Sequence, residues 1–240
     1  MFYLSRVGLH HWEEPPISGE RGSGAVFFSG CTLRCVYCQN YKISRSKCGI
    51  AVEQKTLIDL MLYLQKTGAH NINLVSPSLY ISSLPKVLKE AKKAGLTIPV
   101  VYNTHAYETV ESLKRLEGLV DIYLPDFKYS DDELAYNYSK AKNYSAVARR
   151  AISEMRRQQP KDLFDESGIM KKGVIIRHLV LPGGIENSEG AFKKIAGIDK
   201  SLYVSVVTYL YGHYRQGEQK AENKRMSLLN PYACFHLLSL

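Results

Sequence analysis

The stretch Ala25-Val-Phe-Phe-Ser-Gly-Cys-Thr-Leu-Arg-Cys-Val-Tyr-Cys38 indicates the fold of this chain most directly. It opens with an apolar run that ends at Gly30, a pattern typical of a buried strand. The cysteines follow at once, so the strand delivers them from its carboxyl end, where α/β folds place their chemistry. We therefore expect an α/β fold with a cysteine loop after the first strand of its parallel sheet.

Further along the chain, β-branched or apolar runs alternate with helical patterns. Helical periodicity is found at Glu53–Thr67, with Gly68 as a C-terminal cap, and at Leu84–Ala94 and Thr109–Leu116. The five further strand-like runs are Ile72–Val75, Ile98–Tyr102, Val120–Leu124, Val174–Val180 and Leu202–Val207. Six βα repeats predict parallel strands with right-handed crossovers. Because an eight-stranded barrel typically takes about 250 residues, we expect a partial (β/α)6 TIM-type barrel.

We expect a single domain over residues 1–240 with three parts: a lid segment at 1–24, the partial barrel at 25–211 and an atypical C-terminal tail at 212–240. Within the barrel, Asp131 to Gln158 is predicted as one long helical region and Gln159 to Lys172 as a loop, because the latter carries Pro160 and Gly168. His10, His11, Glu13 and Glu14 do not have the spacing of a helical zinc motif, which favours a structural role.

The composition fits a globular protein, with hydrophobic residues at 45% and charged residues at 23%. Lys and Arg outnumber Asp and Glu by 32 to 23, a formal charge of +9 that suits a nucleic acid, an acidic partner or an anionic cofactor. The densest basic stretch, Arg149 to Arg157, lacks interleaved aromatic residues, which favours a solvated helix face over nucleic-acid binding. No stretch has the length of a membrane span or the pattern of a secretory signal, so we expect a cytoplasmic protein without membrane contact.

Three of the five cysteines crowd into eight residues, which favours a metal site over a disulfide framework. Cys31, Cys35 and Cys38 can hold three irons of a cubane cluster and leave the fourth iron open, which favours catalysis over plain electron transfer. Cys48 as a fourth ligand would give a structural zinc site or a closed cluster instead. We prefer to interpret Cys48 and Cys234 as incidental thiols.

The spacing C-x3-C-x2-C, with aromatic Tyr37 before the last cysteine and a strand before the first, resembles the signature of radical S-adenosylmethionine (SAM) enzymes. The strings His10–Pro15, Arg21–Gly24, Phe27–Cys31 and Cys38–Asn40 resemble a subgroup similar to pyruvate formate-lyase activating enzymes, with a likeness that reaches about Tyr211. The resemblance implies a [4Fe–4S] cluster on the three cysteines. It also implies that SAM binds the open iron and is cleaved reductively to a 5′-deoxyadenosyl radical that abstracts hydrogen.

The resemblance also implies cofactor-binding residues at the strand ends. Ser76 and Ser78 stand where many superfamily members carry a Gly-Gly-Glu segment that receives the methionine amino group. Asn103 matches the Asn of an Asn-Gly pair, and Asp126 with Lys128 matches an Asp-x-Lys segment. The remaining candidates are Tyr37 in the cysteine loop and Arg177, which would bind the cofactor carboxylate through a bidentate fork.

Two functions within this class fit the resemblance. One is activation of a glycyl-radical protein, and the other is radical modification of a peptide, a nucleic acid or a small metabolite. Both need a reductant such as flavodoxin or ferredoxin. A hypothesis of another class is a non-catalytic zinc or iron–sulfur binding module, which predicts bound metal that does not respond to SAM.

Overall fold

The computed structural model describes residues 1–46 and 48–208, together with the backbone of residues 236–239. Six parallel strands form its centre. They are β2 (Ser23–Phe28), β4 (Ile72–Val75), β5 (Val100–Thr104), β6 (Ile122–Pro125), β8 (Met170–Val180) and β9 (Tyr203–Thr208). They neighbour one another in this order, and the sheet formed by the described residues does not close into a complete barrel. The predicted partial (β/α)6 barrel is thereby confirmed.

Helices connect the strands and cover the outer face of the sheet. They are α2 (Tyr41–Ser44), α3 (Gln54–Lys66), α4 (Leu84–Lys93), α5 (Val110–Lys114), α6 (Asp132–Ser139), α7 (Tyr144–Gln158) and α8 (Ile185–Ala196). The predicted helical stretches at 53–67, 84–94 and 109–116 are confirmed. In α3, Leu57, Met61 and Leu64 recur at helical spacing and are buried. Gly68 follows with φ +92°, the left-handed conformation in which its lack of a Cβ allows the helix to end.

Two predictions in the middle of the chain are wrong. The helical region from Asp131 to Gln158 is two helices, because Lys140 and Asn143 both adopt positive φ, a conformation that an α-helix cannot contain. The predicted loop from Gln159 to Lys172 contains a short antiparallel hairpin between β7 (Leu163–Phe164) and the start of β8. The Asp165 carboxylate accepts the amides of Ser167 and Ile169 and so forms its turn.

The N-terminal segment, expected to be a lid over the barrel, packs at the start of the parallel strands. β1 (Phe2–His10) pairs antiparallel with β2, with His10 opposite Ser23, and β3 (Ile50–Val52) pairs with the outer edge of β1. The chain therefore leaves β1 at the end of the sheet where the parallel strands begin. There the short helix α1 (Pro15–Ser18) inserts Ile17, which is fully buried. This segment closes the end of the barrel opposite to the cysteine loop.

The barrel interior has an apolar floor and a polar layer above it. Ile17 packs on a buried cluster at the start of the strands, whose members are Val101, Ile122, Leu124, Met170 and Ile175. The alternation of strand residues turns the polar side chains of Asn73, Asn103, Arg177 and Ser205 to the same interior face of the sheet as this cluster. Charged side chains inside a barrel are costly unless they are paired. The polar layer is therefore the feature that separates this interior from a purely structural core.

No helix in the described part of the chain has the length and apolar composition needed to cross a membrane. The predicted tail at 212–240 lies outside the described residues, apart from the backbone of β10 (His236–Ser239), which pairs antiparallel with β9. Cys234 also lies outside them.

Candidate functional site

The cysteine loop follows β2 and is held in place by helix α6. The backbone amide of Arg34 donates to the Ser139 carbonyl at 3.0 Å, and that of Val36 donates to the Tyr138 carbonyl at 2.8 Å. The Arg34 side chain donates to the Cys31 carbonyl at 3.1 Å. Anchored at several points to a helix that lies more than a hundred residues further along the chain, the loop is fixed before any metal binds.

Each of the three thiols is half-buried and has a polar neighbour. The Leu33 amide donates to the Cys31 sulfur at 3.4 Å, and the Ser139 hydroxyl donates to the Cys35 sulfur at 2.9 Å. The Cys38 sulfur lies 3.4 Å from the Ser44 hydroxyl. Donors aimed at sulfur stabilise the negative charge that a thiolate brings to a cluster. This donor set fits an iron–sulfur cluster.

Burial disfavours ionisation of two of these thiols, Cys31 and Cys35. It raises the pKa of Cys31 to about 11 and also raises the pKa of Cys35, while the positive charge of Lys128 opposes the shift at both. Metal ligation would therefore displace protons from these sulfurs. Among the described residues, no group of three His, Cys, Asp or Glu side chains has the geometry of a single-ion site.

A charged network lies at the same end of the barrel. The Asp126 carboxylate accepts from Lys128 Nζ at 2.7 Å and from Arg177 Nε at 2.9 Å. Arg177 also donates to the Asn103 amide oxygen, and Asn103 in turn faces Glu13 at 3.4 Å. Burial would raise the pKa of Asp126, but the two cations outweigh it and hold that pKa below its ordinary value. The fold thus brings together four of the predicted residues: Asn103, Asp126, Lys128 and Arg177.

Arg177 is more heavily committed than the sequence indicates. Besides Asp126, it pairs with Glu13 at 3.3 Å and lies 3.9 Å from Glu14. Burial disfavours its charge, but these three carboxylates more than compensate and raise its pKa. Lys128 has Asp126 as its ion-pair partner, and its pKa is raised in spite of burial because Asp126 and the Cys35 sulfur outweigh that penalty. Lys128 is therefore the cation of this network that faces the cysteines.

Glu13 and Glu14 were expected to have a structural role in the N-terminal segment, yet they extend into the barrel interior beside Arg177. Burial raises the pKa of Glu13 and raises that of Glu14 to about 7, with Arg177 acting in the opposite direction on both. Glu14 is fully buried. The sequence signal was weak: two adjacent acids directly before Pro15 and Pro16, which begin the short helix that closes the barrel.

Tyr37, Ser76 and Ser78 lie apart from this network. The Tyr37 ring is buried in the core, and its hydroxyl bonds to that of Tyr129. Ser78 donates to Glu108 at 2.5 Å, and Ser76, at the end of β4, adopts φ +56°. Tyr37 thus supports the cysteine loop from behind, and the hydroxyl of Ser78 is already used. Contacts of these three residues with a cofactor stay predictions.

Two supporting residues of the cysteine loop were missed from the sequence. Ser139 bonds to Cys35 and to the Tyr129 hydroxyl at 2.6 Å. His105 bonds to the Thr32 hydroxyl at 2.9 Å, and burial lowers its pKa. Ser139 is distant along the chain and carries no motif, so only the tertiary structure could reveal it. His105 follows Asn103 and Thr104 directly, and its position after a strand was a usable signal.

Cys48 differs from the three loop thiols in its exposure. It is exposed, and its sulfur lies 2.7 Å from the Ser46 hydroxyl. In the basic stretch, Arg156 pairs with Asp162 and Asp199, and Arg157 pairs with Glu117 and Glu154. These ion pairs neutralise part of the charge of the basic stretch, and the Arg156 side chain is mostly buried.

Comparisons with known proteins agree with this arrangement. Residues 25–189 match the Radical SAM superfamily. An uncharacterized protein of Methanocaldococcus jannaschii is 30% identical over 94% of this chain, and a pyruvate formate-lyase-activating enzyme of Staphylococcus epidermidis is 23% identical over 70% of it. The chain spans 63% and 65% of the lengths of these two relatives.

The fold is also similar to that of Streptococcus suis SuiB, whose structure was determined with SAM bound. The TM-score is 0.53 and the sequence identity is 15%, over 76% of this chain and 39% of SuiB. Members of the matched family use a [4Fe–4S] cluster and SAM. The cysteine spacing, the six parallel strands and the match over residues 25–189 agree: this chain belongs to the Radical SAM superfamily.

Proposed function

We propose that this chain is an enzyme that binds a [4Fe–4S] cluster through Cys31, Cys35 and Cys38 and cleaves SAM reductively to start hydrogen abstraction from a substrate. The observation that carries the proposal is the cysteine loop itself, in which three half-buried thiols each have a polar neighbour at the carboxyl end of the parallel strands. When bound, the cluster supplies the electron that breaks the bond from the sulfonium to the 5′ carbon.

The residues around the loop would hold SAM and keep water away from it. Lys128 faces the cysteines and has a single carboxylate as its ion-pair partner, so we assign it the cofactor carboxylate. Asn103 and Asp126 offer an amide and a carboxylate at neighbouring strand ends. Arg177, whose guanidinium is shared among three carboxylates, positions Asp126 and is not the expected fork on the cofactor.

For the substrate, we propose a glycine in a glycyl-radical protein as the first candidate. The sequence strings that resemble the activating enzymes support it, as does the relationship to the S. epidermidis enzyme. A second candidate, radical modification of a peptide or a small metabolite, is favoured by the buried polar layer of the barrel, whose unpaired side-chain atoms are available to bond to a polar group of the substrate. A reductant such as flavodoxin or ferredoxin would supply the electron in both.

The proposal is tested by anaerobic reconstitution with iron and sulfide, followed by reduction and addition of SAM. We expect 5′-deoxyadenosine and methionine as products. Cys35→Ala should lose both the cluster absorbance and the products, because the cluster loses one of three ligands. The matched control Cys48→Ala should retain both. Products from Cys35→Ala, or a cluster that also needs Cys48, would contradict the assignment.

The two substrate candidates are separated with the same reconstituted enzyme. Incubation with a glycyl-radical protein should give the electron paramagnetic resonance doublet of a glycyl radical if the first candidate holds. No doublet, together with products from SAM, would favour the second.

A further inference from the structure

The polar layer of the barrel contains an unusual concentration of unpaired polar atoms. Of the buried side-chain atoms in the described residues that make no hydrogen bond, two are the oxygens of Glu14, two belong to the amide of Asn73 and one is the hydroxyl oxygen of Ser205. The only other such atom in that part of the chain is Oε2 of Glu108. A buried polar atom without a partner costs roughly 1–3 kcal/mol, so its persistence calls for an explanation.

The side chains of Glu14, Asn73 and Ser205 all lie in the interior of the barrel. Asn73 on β4 pairs in register with Ala25 on β2, and lies close enough to Glu13 to lower the pKa of that carboxyl, although its amide makes no hydrogen bond of normal geometry. Ser205 on β9 pairs in register with Arg177 on β8. Glu14 rises from the barrel floor beside Arg177. All three are fully buried.

The charges already present leave room for a cation. Glu13 and Asp126 are compensated by Arg177 and Lys128, at 3.3 Å, 2.9 Å and 2.7 Å. Glu14 makes no hydrogen bond of normal geometry: the nearest guanidinium nitrogen of Arg177 is 3.9 Å away and already bonds to Asp126, and its other close neighbour is the acid Glu13. Charged groups in such surroundings are stable only with a partner of opposite charge.

The hydrogen-bonding capacity of the layer specifies the partner more closely. The two Glu14 oxygens and Asn73 Oδ1 are three acceptors, and the Ser205 hydroxyl can serve as a fourth. A primary ammonium group carries three donors and a positive charge, and has no acceptor. We propose that Glu14, Asn73 and Ser205 form the recognition site for an ammonium group of the substrate, which enters the barrel from its mouth.

This inference rests on the proposed function, because it takes the polar layer and the cysteine loop as one site. It adds the class of the substrate, an amine-bearing molecule or side chain. It also gives the buried Glu14 carboxylate a role. A buried carboxylate that serves to bind a cation lowers the stability of the protein until the cation is bound. The alternative is a cluster of buried waters that satisfies the same atoms.

The test uses ethylammonium as the probe and ethanol as its neutral counterpart, with the reconstituted protein and ligand-observed NMR. We expect ethylammonium to bind, and ethanol to bind at least about tenfold more weakly because it lacks the charge. Glu14→Gln and Asn73→Leu should each weaken ethylammonium binding by about tenfold. Glu186→Gln, a control at an exposed acid on α8, should bind it like the unchanged protein.

A second readout separates recognition from a structural role. Because the Glu14 carboxylate makes no hydrogen bond of normal geometry and lies beside the acid Glu13, Glu14→Gln should leave the urea midpoint unchanged or raise it. A clear fall of that midpoint would overturn the proposal. Equal binding of ethylammonium and ethanol would also overturn it, as would ordered waters that join all five atoms and are not displaced by ethylammonium in a crystal.

The result is independent of the proposed chemistry. Formation of 5′-deoxyadenosine without ethylammonium binding would refute the amine site alone. Ethylammonium binding without 5′-deoxyadenosine would support the amine site and refute the radical function.

Discussion

The cysteine loop and the polar layer beneath it differ in whether the chain supplies hydrogen-bond partners for their polar groups. In the loop, each of the three sulfurs has a polar neighbour from the chain, and the backbone is tied to α6. In the layer, the side chains of Glu14, Asn73 and Ser205 are fully buried and make no hydrogen bonds of normal geometry. A group that the chain itself completes can be rigid before its ligand arrives, whereas a group left incomplete needs something from outside. The difference suggests that the loop is prepared for a resident cofactor and the layer for a molecule that comes and goes.

The largest expected effect comes from removing the cation that balances the layer. Arg177→Met leaves Glu13, Glu14 and Asp126 without their shared partner, and the side chains of both glutamates are buried. Loss of one partner from a buried ion pair costs about 3–5 kcal/mol, and we expect a fall of that size in the free energy of unfolding, measured with urea at pH 7.

The matched control is Arg157→Met on the outer face of α7. Its side chain is 51% exposed. Of its partners, Glu117 is equally exposed, and the buried Glu154 keeps Gln158 as a donor, so the loss should be clearly smaller than for Arg177→Met. If Arg177→Met costs no more than this control, the layer is open to water, and the contrast with the cysteine loop disappears.

The next effect follows from the pKa of Glu14, which burial raises from 4.5 to about 7. The folded state therefore keeps the proton while the unfolded state has released it, and stability falls as the pH rises from about 4.5 to about 7. The groups facing Glu14 are Glu13, Asp126 and Arg177. Glu14→Gln removes this dependence. It should gain up to roughly 3 kcal/mol relative to the unchanged protein between pH 4.5 and 8.

Urea unfolding of both proteins across this pH range checks the prediction, and Glu186→Gln should follow the unchanged protein throughout. Parallel stability curves for the unchanged protein and Glu14→Gln would mean that Glu14 titrates as it does in the unfolded chain. The layer would then be hydrated, and the comparison with the loop would lose its basis.

The smallest effect is expected in the cysteine loop, because several contacts hold the loop and one substitution removes only some of them. Ser139→Ala removes the hydroxyl that donates to the Cys35 sulfur at 2.9 Å and that also bonds to Tyr129. The expected loss is about 1 kcal/mol in the free energy of unfolding. A donor to sulfur favours the reduced, more negative cluster, so the midpoint potential of the reconstituted protein should also become more negative.

Potentiometric titration monitored by electron paramagnetic resonance measures that shift, with Ser153→Ala on the exposed face of α7 as its control. A potential that does not move in Ser139→Ala, while the stability falls, would show that Ser139 only fastens the loop to α6.

Much of this protein follows from the sequence by itself. The six strands, the helices at 53–67 and 84–94 and the position of the cysteine loop were all predicted, because periodicity and cysteine spacing are local properties of the chain. The split at Lys140 and Asn143 was not predicted, since neither residue is a glycine and each adopts positive φ only because the neighbouring helices dictate it. The hairpin at Leu163 was missed because its strand is only two residues long.

The tertiary structure alone decided what surrounds the cysteines. The sequence predicted that Arg177 binds the carboxylate of the cofactor. In the fold, Arg177 is surrounded by Asp126 from a neighbouring strand end and by Glu13 and Glu14 from the opposite end of the chain. These groups are separated by as many as 164 positions, and no local pattern encodes their meeting. Which charge is compensated and which is left without a partner depends on burial and distance, and both arise only when the strands assemble into a barrel.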